Sequence, residues 1–198
     1  MSALFSTTEL ARPAAGRDPM RPGAQRVGLM PTLYLLSKGR KALRLHVGQL
    51  EPDQVVHYAT GGRWSAHELL QFIVERTGPA RVSISTWTIT EAPVRALLAL
   101  RQAGLITELT LLFDHRIRTR CPKAVQLVAA LGAHVHLAKC HAKVTVVEND
   151  EWAVTVLSSQ NYTRNPRIEA GVIFTDRASA AFHRAWLHEQ VAGNQPFV

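Results

Sequence analysis

The sequence predicts an α/β fold, a mixed and largely parallel sheet flanked by helices. Three observations predict it. From residue 65 onward, short β-branched runs alternate with segments whose apolar residues recur at helical spacing. Helix starts and stops stand at most of the boundaries between them. The chain has 198 residues, 46% of them hydrophobic, which suits one domain with a sizeable core and no need of a disulfide framework.

Each element follows in order. Residues 1–27 are rich in Ala, Arg, Pro and Gly and lack periodicity, so they are expected to form a flexible basic arm, with a single domain over 28–198. In 28–50, LYLLSKGRKALRLHVGQL suggests a strand, a turn at Ser37–Arg40 and a second strand. Ser65-Ala-His-Glu68 is a capping box, followed by Leu69, Leu70, Phe72 and Ile73, with Gly78 past the helix end. Residues 80–88 alternate as a strand. Thr90 caps a helix over 91–103, with Pro93 in its first turn and Gly104 after it. A buried-type strand is expected over 106–113, a helix over 122–131 stopped by Gly132, and strands over 133–138, 142–148 and 152–157. The last two join through Asn149–Asp150, a hairpin-like turn. A strand over 168–175 precedes a final helix capped by Asp176, with Phe182, Trp186 and Leu187 as its apolar stripe.

Charge narrows the partners. The net charge is +8 and the isoelectric point about 10.2. Residues 1–50 carry eight basic residues against Glu9 and Asp18, so most of the excess sits there. A basic arm on a near-neutral body suits sequence-independent binding to phosphate-rich polymers, DNA above all. No apolar run reaches the roughly 18–20 residues of a membrane span, so stable membrane insertion is not expected. The N-terminus lacks the basic start and apolar core of a secretory signal. With two cysteines, Cys121 and Cys140, a reducing cytoplasm is the expected compartment.

The chemistry concentrates between His141 and Glu169. His141 and Lys143 stand two apart on an expected strand, so an imidazole and an ammonium share one face. The next strand ends in Ser158-Ser159-Gln160-Asn161, which reaches the same neighbourhood if the two strands pair, and Glu169 opens a further strand beside it. A phosphodiester spreads negative charge over its non-bridging oxygens in the transition state. Lys143, the Asn161 amide and the Ser159 hydroxyl can hold those oxygens with no metal and no cofactor, and a neutral imidazole can attack phosphorus. Arg116 and Arg118, in the basic stretch 114–120, can contact phosphates nearby. His134, His136, Cys140 and His141 cluster in sequence, though not at a common zinc spacing. Trp64 and Trp87 suit either core packing or base stacking.

This arrangement resembles the phospholipase D superfamily, whose motif reads His-x-Lys, four residues, Asp, then Gly-Ser-x-Asn and a downstream acid. His141-Ala142-Lys143, Ser159, Asn161 and Glu169 occupy the matching places. The departures are Glu148 for the Asp, Ser158 for the Gly, and a hairpin about three residues longer than the common form. The resemblance implies a phospholipase D-like domain and a metal-independent phosphodiesterase acting through a phosphohistidine. It also implies a homodimer, because the chain has one His-x-Lys set and the general acid would be the second copy's histidine. Glu169 would then hold the imidazole's other nitrogen. A nuclease similar to the compact bacterial endonucleases of the superfamily is the expected function. A dimeric nucleic-acid-binding module without turnover and a lipid phosphodiesterase are the alternatives.

Overall fold

The structure, a computed structural model, describes residues 43, 47–164 and 167–193, together with the backbone of 23–27 and 35–36. The described strands are β1 (Gly23–Val27), β2 (Leu35–Leu36), β3 (Val55–Ala59), β4 (Ala80–Thr86), β5 (Ile106–Asp114), β6 (His134–Ala138), β7 (Val144–Glu148), β8 (Ala153–Ser158) and β9 (Ala170–Phe174). The helices are α1 (Ala66–Thr77), α2 (Glu91–Gln102), the single turn α3 (Ile117–Arg120), α4 (Pro122–Val128) and α5 (Arg177–Ala192). All nine strands join one sheet in the order β2-β1-β3-β9-β8-β7-β4-β5-β6.

The expected mixed sheet flanked by helices is present. Among the described strands, parallel pairing is confined to β4–β5 and β5–β6, and the other neighbours run antiparallel. The parallel share is smaller than the alternation suggests because the link over 139–143 is too short for the crossover of a dozen or more residues that a parallel strand requires. β7 therefore returns beside β4 in the opposite direction.

Local signals explain most boundaries. Ser65 N–H donates to Glu68 Oε2 at 2.8 Å, closing the capping box of α1. Asp176 accepts from Ser179 N–H at 2.7 Å and starts α5. Gly132 ends the helical run in the left-handed region, with φ 57°. Period-two alternation sorts the strands between two cores. Val82 and Ile84 of β4, and Leu109, Leu111 and Phe113 of β5, pack under α1, α2 and α4, with Leu70, Ile73 and Leu97 among the contacts. Leu112, Val144 and Val146 face the other way, against Ala180 and Leu187 of α5. Each fully buried Leu or Ile contributes about 1.5–3 kcal/mol.

Several expectations are corrected. Gly23–Val27, expected at the end of the arm, form β1, because their backbone completes the edge of β3 over five residue pairs. The expected turn at Ser37–Arg40 and residues 1–22 lie outside the described residues. β7 starts at Val144, so His141–Lys143 form the approach to the strand. The basic stretch after β5 contains a helical turn, α3. Phe182 is 67% exposed, and the buried stripe of α5 runs through Ala180 and Leu187.

Candidate active site

Strand direction decides where the reactive groups go. β4 and β5 end at the same edge of the sheet, being parallel. β7 starts there, β8 ends there and β9 starts there, each antiparallel to its neighbour. That edge lies at the carboxyl ends of the parallel strands, beside the point where the chain changes side, a common place for α/β sites.

The 139–143 link runs along this edge from β6 to β7, past the ends of β5 and β4. Ser85 of β4 anchors it, its hydroxyl donating to Ala142 O and contacting Cys140 Sγ, both at 3.1 Å. His141 is exposed and Lys143 half-buried. Lys143 Nζ lies 3.1 Å from His141 Nδ1 and 3.3 Å from Nε2, and donates to His141 O at 2.8 Å. Partial burial lowers the Lys143 pKa below the ordinary lysine range, with Cys140 and Glu169 pulling the other way. On its other side the imidazole meets the Trp87 ring edge-on, centroids 5.4 Å apart.

Ser159 and Glu169 form a second unit. Ser159 Oγ donates to Glu169 Oε2 and accepts from Ala170 N–H at 3.1 Å. Thr60, just past β3, clamps the Glu169 backbone: its N–H donates to Glu169 O at 2.8 Å, and its Oγ accepts from Glu169 N–H at 3.1 Å. The Asn161 carbonyl oxygen accepts from Thr86 Oγ at 3.2 Å, so the amide is held from the end of β4. Tyr58 supports the floor by donating to Ser158 Oγ at 3.0 Å, while Ser158 Oγ accepts from Gln160 N–H at 2.9 Å. Burial pushes the Tyr58 pKa up to about 12, keeping it a neutral donor. A cavity behind Lys143, lined by Tyr58, Thr145, Ser158, Gln160 and Tyr162, lies between α1 and the sheet.

The structure therefore joins His141 to Lys143 and Ser159 to Glu169, with Asn161 fixed on the same edge. The expected contact of Glu169 with the imidazole is replaced by its bond to Ser159. Arg116 is tied to Asp114, its Nε donating to Oδ1 at 2.8 Å, and lies 5.9 Å from the Trp87 centroid. Burial alone would raise the Asp114 pKa, but Arg116 outweighs it and holds the group below its ordinary value. Arg118 is exposed on α3. Trp64 is a core residue, tilted against Tyr58. Among the described residues, no three His, Cys, Asp or Glu side chains gather to hold a metal ion, so His134, His136, Cys140 and His141 do not form a cluster. Sequence reasoning missed Thr60, Tyr58 and Thr86. Tyr58 lies in β3 and Thr60 just past it, and the Val55-Val56-His57-Tyr58 run was a usable strand signal.

No family model and no curated protein sequence matches the chain. Solved structures do. Nuc from Salmonella typhimurium, a phospholipase D family member, superposes with TM-score 0.52 at 18% identity, over 65% of this chain and 90% of that one. The chain thus has the phospholipase D fold. NucT from Helicobacter pylori superposes with TM-score 0.51 at 15% identity, over the same shares. TrmBL2, an archaeal chromatin protein with a novel mode of DNA binding, superposes with TM-score 0.50 at 10% identity, over 79% of this chain and 60% of that one.

Proposed function

We propose that the chain is a nuclease-type phosphodiesterase that works without a metal, through a phosphohistidine, at a site shared by two subunits. The observation that carries this reading is the contact of the Lys143 ammonium with both nitrogens of the His141 ring, on the edge that also presents Ser159, Glu169 and Asn161. Lys143 and the Asn161 amide hold the non-bridging oxygens, where charge grows in the transition state. A His141 nitrogen forms a bond to phosphorus while the bond to the leaving oxygen breaks, and the partner subunit's His141 gives that oxygen its proton. Water then attacks phosphorus and returns a proton to the partner subunit's His141. The N–P bond breaks, leaving a phosphomonoester. Glu169 accepts the Ser159 hydroxyl proton and so holds the segment that carries Asn161 beside the phosphate.

The basic arm supports a nucleic-acid substrate, DNA first. No described helix is long and apolar enough to cross a membrane. Cys121 and Cys140 are free thiols, which fits a reducing cytoplasm. Hydrolysis of plasmid DNA in excess chelator tests the reading. Wild type should cleave, and His141→Ala should lose on the order of a thousandfold in rate, about 4 kcal/mol. Equal cleavage by both, or a fully active monomer in light scattering, contradicts it. The shared fold with TrmBL2, together with Ser158 at the motif's glycine place, favours a second reading as a DNA-binding module. Salt-sensitive binding with no cleavage would establish that one.

A further inference from the structure

One cluster beside the proposed site has no role so far. Trp87 stands one residue past the end of β4, half-buried, with its Nε1–H buried and without a hydrogen-bond partner among the described residues. The indole is therefore held by its ring contacts. The Arg120 guanidinium carbon lies 3.7 Å from the Trp87 ring centroid, a close cation–π stack. The His141 imidazole meets the same ring at 65°, with centroids 5.4 Å apart. Both groups contact the same indole, so Trp87 bridges the guanidinium and the imidazole.

Stacking occupies the face of a guanidinium and leaves its in-plane N–H groups directed outward, in a fork that matches phosphate oxygens. The one carboxylate of the 114–120 stretch, Asp114, is already engaged by Arg116. Arg120 is thus a cation held in orientation by an aromatic ring, next to a group proposed to attack phosphorus.

We propose that Trp87 and Arg120 form a second phosphate subsite, and that Trp87 is a positioning residue linking it to His141. The substrate class is then an oligonucleotide strand gripped at two phosphates, not a diester with a single phosphate. This rests on the phosphodiesterase reading of the same site and adds its substrate preference.

The test compares the full chain with Arg120→Gln and Trp87→Leu on two substrates: a single-stranded oligonucleotide and bis(p-nitrophenyl) phosphate. Arg120→Gln should raise KM for the oligonucleotide by on the order of tenfold more than for the one-phosphate diester, with kcat little changed. Trp87→Leu should reproduce that KM effect and also lower kcat on both substrates, with Trp87→Phe restoring much of it. Equal effects of Arg120→Gln on both substrates, or none on either, overturn the subsite. If wild type cleaves neither substrate, the phosphodiesterase reading fails and binding decides the subsite. The slope of log affinity against log salt should then fall by roughly 0.7 in Arg120→Gln, the share of one single-strand phosphate. An unchanged slope overturns it.

Discussion

The two ends of β7 differ in kind. At its start, His141 is exposed, Lys143 is half-buried, and the 139–143 link carries them outside the strand's own ladder. At its finish, Glu148 binds Arg184 of α5 at 2.6 Å. There Asn149 ties the hairpin, accepting from Glu151 and Trp152 N–H at 3.0 and 2.7 Å and donating to Thr77 O at 2.8 Å. Five residue steps, about 17 Å, separate Lys143 from Glu148. Two of the departures from the phospholipase D motif, Glu148 and the longer hairpin, lie at the far end. The lesson is that those positions serve packing of the hairpin and α5, and the near end carries the groups proposed to do the chemistry.

Four substitutions and one pH series sharpen or break that division. Lys143→Met should cost on the order of a hundredfold or more in kcat, with stability little changed. In the wild type, activity should fall on the alkaline side as Lys143 loses its proton. Because its pKa is lowered, that fall should come below the usual lysine range. The sign for folding is opposite: the folded state binds this proton less tightly than the unfolded one, so its destabilising contribution disappears as pH rises through that window. A rate profile and melts across alkaline pH separate the two.

Gly171→Ala strikes the support of the near end. A Cβ there would lie 2.5 Å from the Tyr58 hydroxyl and 2.6 Å from Leu157 O. Overpacking of this kind costs about 1–3 kcal/mol, and activity should fall with it as Tyr58 leaves Ser158. Asn149→Ala should cost about 1–2 kcal/mol by removing hairpin hydrogen bonds, with kcat unchanged in assays below the melting point. Glu148→Asp places the motif's own residue in the chain, yet should not raise activity. Its shorter arm loses Arg184, which is partly exposed, for at most about 1 kcal/mol by denaturant melts. A gain in kcat from Glu148→Asp would erase the contrast between the ends.

Much of this was legible in the sequence where the cause is local. Ser65 with Glu68, Asp176, Asn149 and Gly132 each act within a few residues, and the alternation in β4 and β5 follows directly from two-faced burial. His141, Lys143, Ser159, Asn161 and Glu169 could be singled out because they sit within 29 consecutive residues. Elements defined by distant partners were not legible. β1 exists through β3, and β3 through β9. The bond of Glu169 to Ser159 rather than to His141 depends on the β8–β9 register. The exposure of Phe182 depends on how α5 rolls onto β7 and β8, which helical spacing leaves open.

The Thr60 clamp on Glu169 bridges 109 positions of the chain. Contacts of that span carry the largest loop-closure cost and tend to form late. A chain that has already laid down β4 to β8 holds the imidazole and the ammonium but lacks the strand that brings in Glu169. The proposed hydrolytic power is thereby tied to completion of the sheet, so that a half-made or proteolytically opened molecule would lack the means to cut.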